Sequence, residues 1–137
     1  PPAAPAPAPA PAPAARFAPP VNGPIVRPYS RGGSDRNDGV DFAAPAGAEV
    51  AAAADGQIAL VSESLGGLGT IVLIRHQNDL LTVYGRVGEV TVQKGDRVRQ
   101  GQVIGRVAPA AGGREPGLHF EVRQGAESVD PARFLPG

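Results

Sequence analysis

Branched apolar residues arrive in short bursts separated by glycine, proline and acidic turn residues. Pro24–Arg27, Gln57–Val61, Thr70–Ile74, Leu80–Tyr84, Val103–Val107 and Leu118–Val122 read as strands. Asp38-Gly39, Asp55-Gly56, Gly66-Gly67, Lys94-Gly95-Asp96 and Gly112-Gly113 read as the turns between them. Short strands this closely spaced predict a mainly β, antiparallel sandwich or barrel-like single domain. Ala51–Ala54 has the best intrinsic helix propensity available. It is too short to repay helix nucleation, with Pro45 and Gly47 before it and Asp55-Gly56 after, so it reads as strand and turn. A short helical turn is expected at Asp130–Phe134, where Asp can cap and Pro suits the first position. Pro45–Val50 and Gln93–Val98 each set a glycine three residues before a valine. Either a repeated turn or two unrelated turns fits those residues.

Before this patterned region the chain changes character. Residues 1–18 are almost wholly proline and alanine, with no branched apolar side chain. Such a stretch cannot bury enough surface to offset its ordering entropy, and Ala-Pro alternation favours an extended polyproline rod. It is expected to be a semi-rigid linker reaching roughly 45 Å over fifteen residues at ~3.1 Å per residue. A linker at the start, with no initiator methionine, is expected of a piece of a longer protein. Residues 19–137 are expected to form one domain.

Charge is balanced, with 13 basic and 13 acidic residues and no basic run, which argues against nucleic acid as a partner. No stretch is long and apolar enough to span a bilayer as a helix, so membrane association is expected only through parts outside this chain. The absence of cysteine removes disulfides, thiol nucleophiles and thiolate metal sites.

Pro20–Ile25, Gly39–Gly47, Ile74–His76, Thr82–Tyr84, Val92–Asp96, Gly101–Gly105, Gly117–Arg123 and Val129–Pro131 follow one another along the chain. In that order the segments resemble the LytM, or lysostaphin-like, zinc metallopeptidase family over about residues 19–136. The resemblance implies a β-sheet groove that binds peptidoglycan peptides and cleaves them with one zinc ion. Three family positions hold the zinc, and here they read Asn37, Asp41 and His119. Two assisting histidine positions read Arg86 and Gly117. Only Asp41 and His119 match the pattern.

An amide is a poor exchange for imidazole at zinc, and arginine cannot serve as a base. Losing one general acid or base costs roughly 10²–10⁴ in rate, and here two are missing along with a ligand. The family centre needs four histidines, whereas the chain has two, His76 and His119, so no shift of register restores it. The expectation is a degenerate peptidase frame, not an enzyme, with no metal and no cofactor. His76 is expected to be a structural strand-end residue, and His119 to hydrogen-bond Asp41.

A retained frame without its centre reads as a binding module. Degenerate members of this family are activators of peptidoglycan hydrolases, N-acetylmuramoyl-L-alanine amidases among them, in wall remodelling during cell division. By that resemblance the partners are hydrolases, with peptidoglycan as a further ligand, and the location is the periplasm. The partner-binding groove is expected to be lined by Asn37, Asp41, Arg86, Gly117 and His119. Glycine at 117 would open space, and Arg86 would form a charge-assisted fork with a partner carboxylate. The alternatives are a non-catalytic peptidoglycan-binding domain and, behind it, an active zinc endopeptidase. Lys94–Val98 and Gly101–Gly105 also resemble biotinyl or lipoyl carrier barrels, but the flanks of Lys94, the chain's one lysine, do not match the carrier pattern.

Overall fold

The computed structural model describes residues 16–63, 69–110 and 115–135. The expected turns at Gly66-Gly67 and Gly112-Gly113, and residues 1–15 of the expected linker, lie outside the described residues.

Alternation along the bursts produces one antiparallel sheet built around β6 (Leu80–Gly88). On one side of β6 lie β9 (Gly117–Gln124), β2 (Val40–Ala43) and β1 (Ile25–Arg27). On the other lie β5 (Thr70–Arg75), β4 (Gly56–Glu63) and β7 (Arg97–Val98). Away from this path, β10 (Glu127–Val129) folds back on β9, and β8 (Val103–Val107) pairs with β6 and with β3 (Glu49–Ala51). The end strands β1 and β7 do not pair, so the antiparallel β architecture is as expected but the sheet does not close into a barrel.

Each long strand sends alternate residues to two faces. Ile58, Val72, Ile74, Thr82, Tyr84, Phe120 and Val122 fill the core, while Gln57, Arg75, Leu81, His119, Glu121 and Arg123 lie on the opposite face. The β5–β6 hairpin turns at Asn78 and Asp79, both at φ +63°, a conformation these two side chains tolerate better than most.

The alanine run is not helical because its backbone is spent on distant partners. The N–H of Ala51 donates to Pro20, that of Ala52 to Gln102, and that of Ala53 to the Tyr84 hydroxyl. Gly47 and Gly95 both sit at positive φ, +89° and +96°, ahead of β3 and β7, so the two glycine turns share a local form. The helical turn expected near the C-terminus is a short 3-10 turn, Pro131–Arg133, capped by the Asp130 carboxylate on Ala132 N–H.

Phe17 falls inside the stretch expected to be linker, yet it is only 3% exposed. Its ring stacks on Phe134 and tilts against His76, and its N–H donates to the Phe134 carbonyl. The packed body therefore includes Phe17.

Candidate functional site

Asp41 lies on β2 between two core residues, Val40 and Phe42, so its side chain is carried to the opposite face. Cross-strand register then sets a row over four strands: Arg27 on β1, Asp41 on β2, His119 on β9 and Gly85 on β6. Arg86 follows at a bulge, where the β5–β6 register slips between Thr70–Val87 and Val72–Tyr84. Its φ of +66° is costly for a non-glycine residue and aims it differently from its neighbours. Gly69 packs against it, since a Cβ there would stand 2.8 Å from Arg86 Cα.

All five expected residues, Asn37, Asp41, Arg86, Gly117 and His119, come together here. The Asp41 carboxylate, 5% exposed, is the hub. Oδ1 accepts from His119 Nδ1 at 2.8 Å and Arg86 Nη2 at 3.2 Å. Oδ2 accepts from Arg27 Nη1 and Asn37 Nδ2, each at 3.3 Å. His119 Nε2 bonds Glu121 Oε2 at 2.8 Å, and Arg123 donates to Glu121 Oε1.

Burial alone would raise the pKa of Asp41. The hydrogen bond and charge of His119, with the charges of Arg86 and Arg27, overcome it and hold Asp41 below its ordinary value. Burial likewise pulls His119 down, but its bonds to Asp41 and Glu121 and their charges push it up to about 9. Glu121 is held low by His119 and Arg123 against the effect of burial. At neutral pH the site is therefore a closed ionic chain in which His119 is an imidazolium and donates from both ring nitrogens.

These residues do not fit a zinc ion. The carboxylate of Asp41 already faces two guanidinium groups, those of Arg27 and Arg86, and the third ligand position holds an amide in place of an imidazole. The Asn37 amide is oriented by the Pro28 carbonyl, which only accepts, so its NH2 points toward Asp41 while Oδ1 accepts from Gly39 N–H. Among the described residues no group of three His, Cys, Asp or Glu side chains is placed to hold a metal.

Gly117 corrects one expectation. It does not open space, because a Cβ there would stand 2.5 Å from the Phe42 carbonyl oxygen. Glycine at this position permits β2 and β9 to approach. Arg86 is also already engaged with Asp41, and its buried Nε finds no acceptor among the described residues.

Three members of the network were not expected: Arg27, Glu121 and Arg123. Glu121 and Arg123 follow His119 at i+2 and i+4 on a strand, so period-two alternation could have found them. Arg27 depends on the β1–β2 register, which carries no local signal.

His76 is the structural residue expected of it. Nδ1 lies 2.7 Å from the Asp55 carbonyl and Nε2 2.8 Å from Thr82 Oγ1, which in turn is 2.8 Å from the Tyr84 hydroxyl. Burial holds the His76 pKa below its ordinary value, despite opposing effects of Asp55.

The model of peptidase family M23 matches residues 35–131. Cell division protein DipM of Caulobacter vibrioides is 36% identical over 128 residues, covering 88% of this chain and 21% of that protein. Murein hydrolase activator NlpD of Escherichia coli is 33% identical over 119 residues, covering 85% of this chain and 30% of that one. The chain thus spans a fifth to a third of the length of these relatives. Among solved structures, Helicobacter pylori Csd3 superposes with a TM-score of 0.79 at 31% identity, covering 90% of this chain and 34% of that one. On the extent of the family match, together with the antiparallel sheet and the Asp41–His119 pair at its centre, the chain belongs to peptidase family M23, the LytM-type domains.

Proposed function

We propose that this chain is a catalytically inactive M23 domain that binds and activates peptidoglycan hydrolases, amidases among them, in wall remodelling during cell division. The observation that carries the reading is the engagement of Arg86 with Asp41: a guanidinium and an imidazolium occupy the carboxylate that a catalytic centre would leave for its ion. The names of DipM and NlpD, a cell division protein and a murein hydrolase activator, support the activator role. The lipoprotein and murein-related names among the relatives support a place in the periplasm.

The groove lined by Asn37, Asp41, Arg86, Gly117 and His119 is the docking site. Of the five N–H donors of Arg86, one is seen to be spent on Asp41 and the one on Nε is buried, which leaves donors of the terminal nitrogens for a partner acceptor. A hydrolase segment that binds here only in the enzyme's open state shifts the hydrolase population toward that state.

The test is release of dye from labelled peptidoglycan by the chain, by a purified amidase, and by the two mixed, alongside pull-down on sacculi. Release only in the mixture is expected, and folded Arg86→Glu should lose it. Release by the chain alone would overturn the reading. Sacculus binding without activation would leave a wall-binding domain in its place.

A further inference from the structure

The outer face of the sheet carries a second feature, which adjoins the Asp41 network at Glu121 and Arg123. Register places Arg97 on β7, Gln57 on β4, Arg75 on β5, Leu81 on β6 and Arg123 on β9 in one row. Their chain neighbours Val98, Ile58, Ile74, Thr82 and Val122 are all buried, so the row lies wholly on the outer face. At ~4.8 Å between strands it runs about 19 Å. A parallel row, Leu60, Leu73, Val83 and Glu121, lies two residues along β5, β6 and β9, and three along β4 where the register shifts, and leads to the Asp41 network through Glu121. Leu60 is 42% exposed.

The charges in the first row are unbalanced. Arg123 is paired with Glu121, but among the described residues neither Arg75 nor Arg97 has a carboxylate at ion-pair distance. The nearby Asp96 is turned into its own loop, where it accepts from Gln93 N–H. Two uncompensated guanidinium groups beside an apolar strip make a surface that complements carboxylates interleaved with apolar side chains.

We infer that this double row docks an acidic, apolar-interleaved segment of the partner hydrolase, laid across the strands with its carboxylates on Arg75 and Arg97 and its apolar side chains on Leu60, Leu73 and Val83. The inference rests on the activator reading for the identity of the partner. Residues 1–15 of the chain carry no charge and cannot satisfy the row. A second copy docked through the same face would set arginine row against arginine row.

Two measurements decide it. The first is amide-resolved NMR of the chain titrated with a synthetic peptide alternating glutamate with leucine and alanine. Shifts should fall on Gln57, Arg75, Leu81 and Arg97, weaken with added salt, and disappear in Arg75→Glu/Arg97→Glu. They should persist in Arg31→Glu/Arg133→Glu, a matched charge change outside the row. The second is dye release with amidase, where Arg75→Glu/Arg97→Glu should need about tenfold more protein for the same activation.

Shifts elsewhere, no shifts, or the same shifts in the row variant would overturn the inference. So would full activation by the row variant, which would leave the activator reading standing. If the wild-type chain activates nothing while the peptide binds the row and its binding is lost in the variant, the activator reading falls and the acidic-segment site remains.

Discussion

The chain's two histidines are one residue type in opposite states, and the contrast separates structure from site. His76 lies at the end of β5 under the ring of Phe17, with a carbonyl and a hydroxyl as partners. His119 lies on the outer face with two carboxylates as partners. Burial favours the neutral ring in both. His76 feels the charge of Asp55, but burial prevails there, whereas His119 is hydrogen-bonded to two carboxylates and their charges prevail. Around His76 the proton order is readable. The Asp55 carbonyl can only accept, so Nδ1 carries the proton. A neutral Nε2 must then receive the Thr82 hydroxyl, and Tyr84 donates to Thr82 while accepting from Ala53 N–H. One histidine closes a neutral relay that ties the core together. The other closes an ionic chain at positions that the family resemblance assigns to metal ligands.

The sharpest way to break the contrast is Asp41→Ala. It leaves His119, Arg86 and Asn37 facing an empty centre and should cost about 4 kcal/mol in urea unfolding. Phe17→Ala acts on the other histidine. It removes a buried ring and uncovers His76, with an expected loss of about 3 kcal/mol and a His76 pKa moved back toward 6.5 by NMR titration. Thr82→Val should cost about 2 kcal/mol, since it leaves His76 Nε2 without a partner and the Tyr84 hydroxyl with Ala53 N–H alone.

Smaller effects appear in the pH profile of stability, and they have opposite signs. The folded pKa of His76 lies below its ordinary 6.5, so its contribution is present above 6.5 and is lost as pH falls through the folded value. The folded pKa of His119 is raised, so its contribution is complete below 6.5 and is lost as pH rises through about 9. His119→Gln should flatten the alkaline limb and, by releasing Asp41 and Glu121 toward higher pKa values, also weaken the acid limb. The smallest expected effect is that of metal. Zinc or a chelator should leave Tm unmoved, whereas an ion bound at a hundred times its Kd would add about 2.7 kcal/mol.

The strands with strong alternation were legible because burial of one face is written into every second residue, as in β6 and β9. β2 was harder, being four residues long with an ionised side chain at its centre. Asp41 and His119 could be picked out from their motifs, and their pairing followed. Arg27 could not, because its place depends on pairing with a strand distant in sequence. The close β2–β9 approach that excludes a side chain at 117 is likewise a property of two strands. The protonation of His119 arises only where two carboxylates outweigh the effect of burial.

The central claim is that an ionic chain with a protonated His119 has replaced the family's metal centre. Nitrogen-15 NMR of the imidazoles at neutral pH, before and after adding zinc, tests it directly. The account predicts two protonated nitrogens on His119, a neutral His76 protonated at Nδ1, and no change on adding zinc. A neutral His119 whose nitrogen resonance shifts with zinc would contradict it.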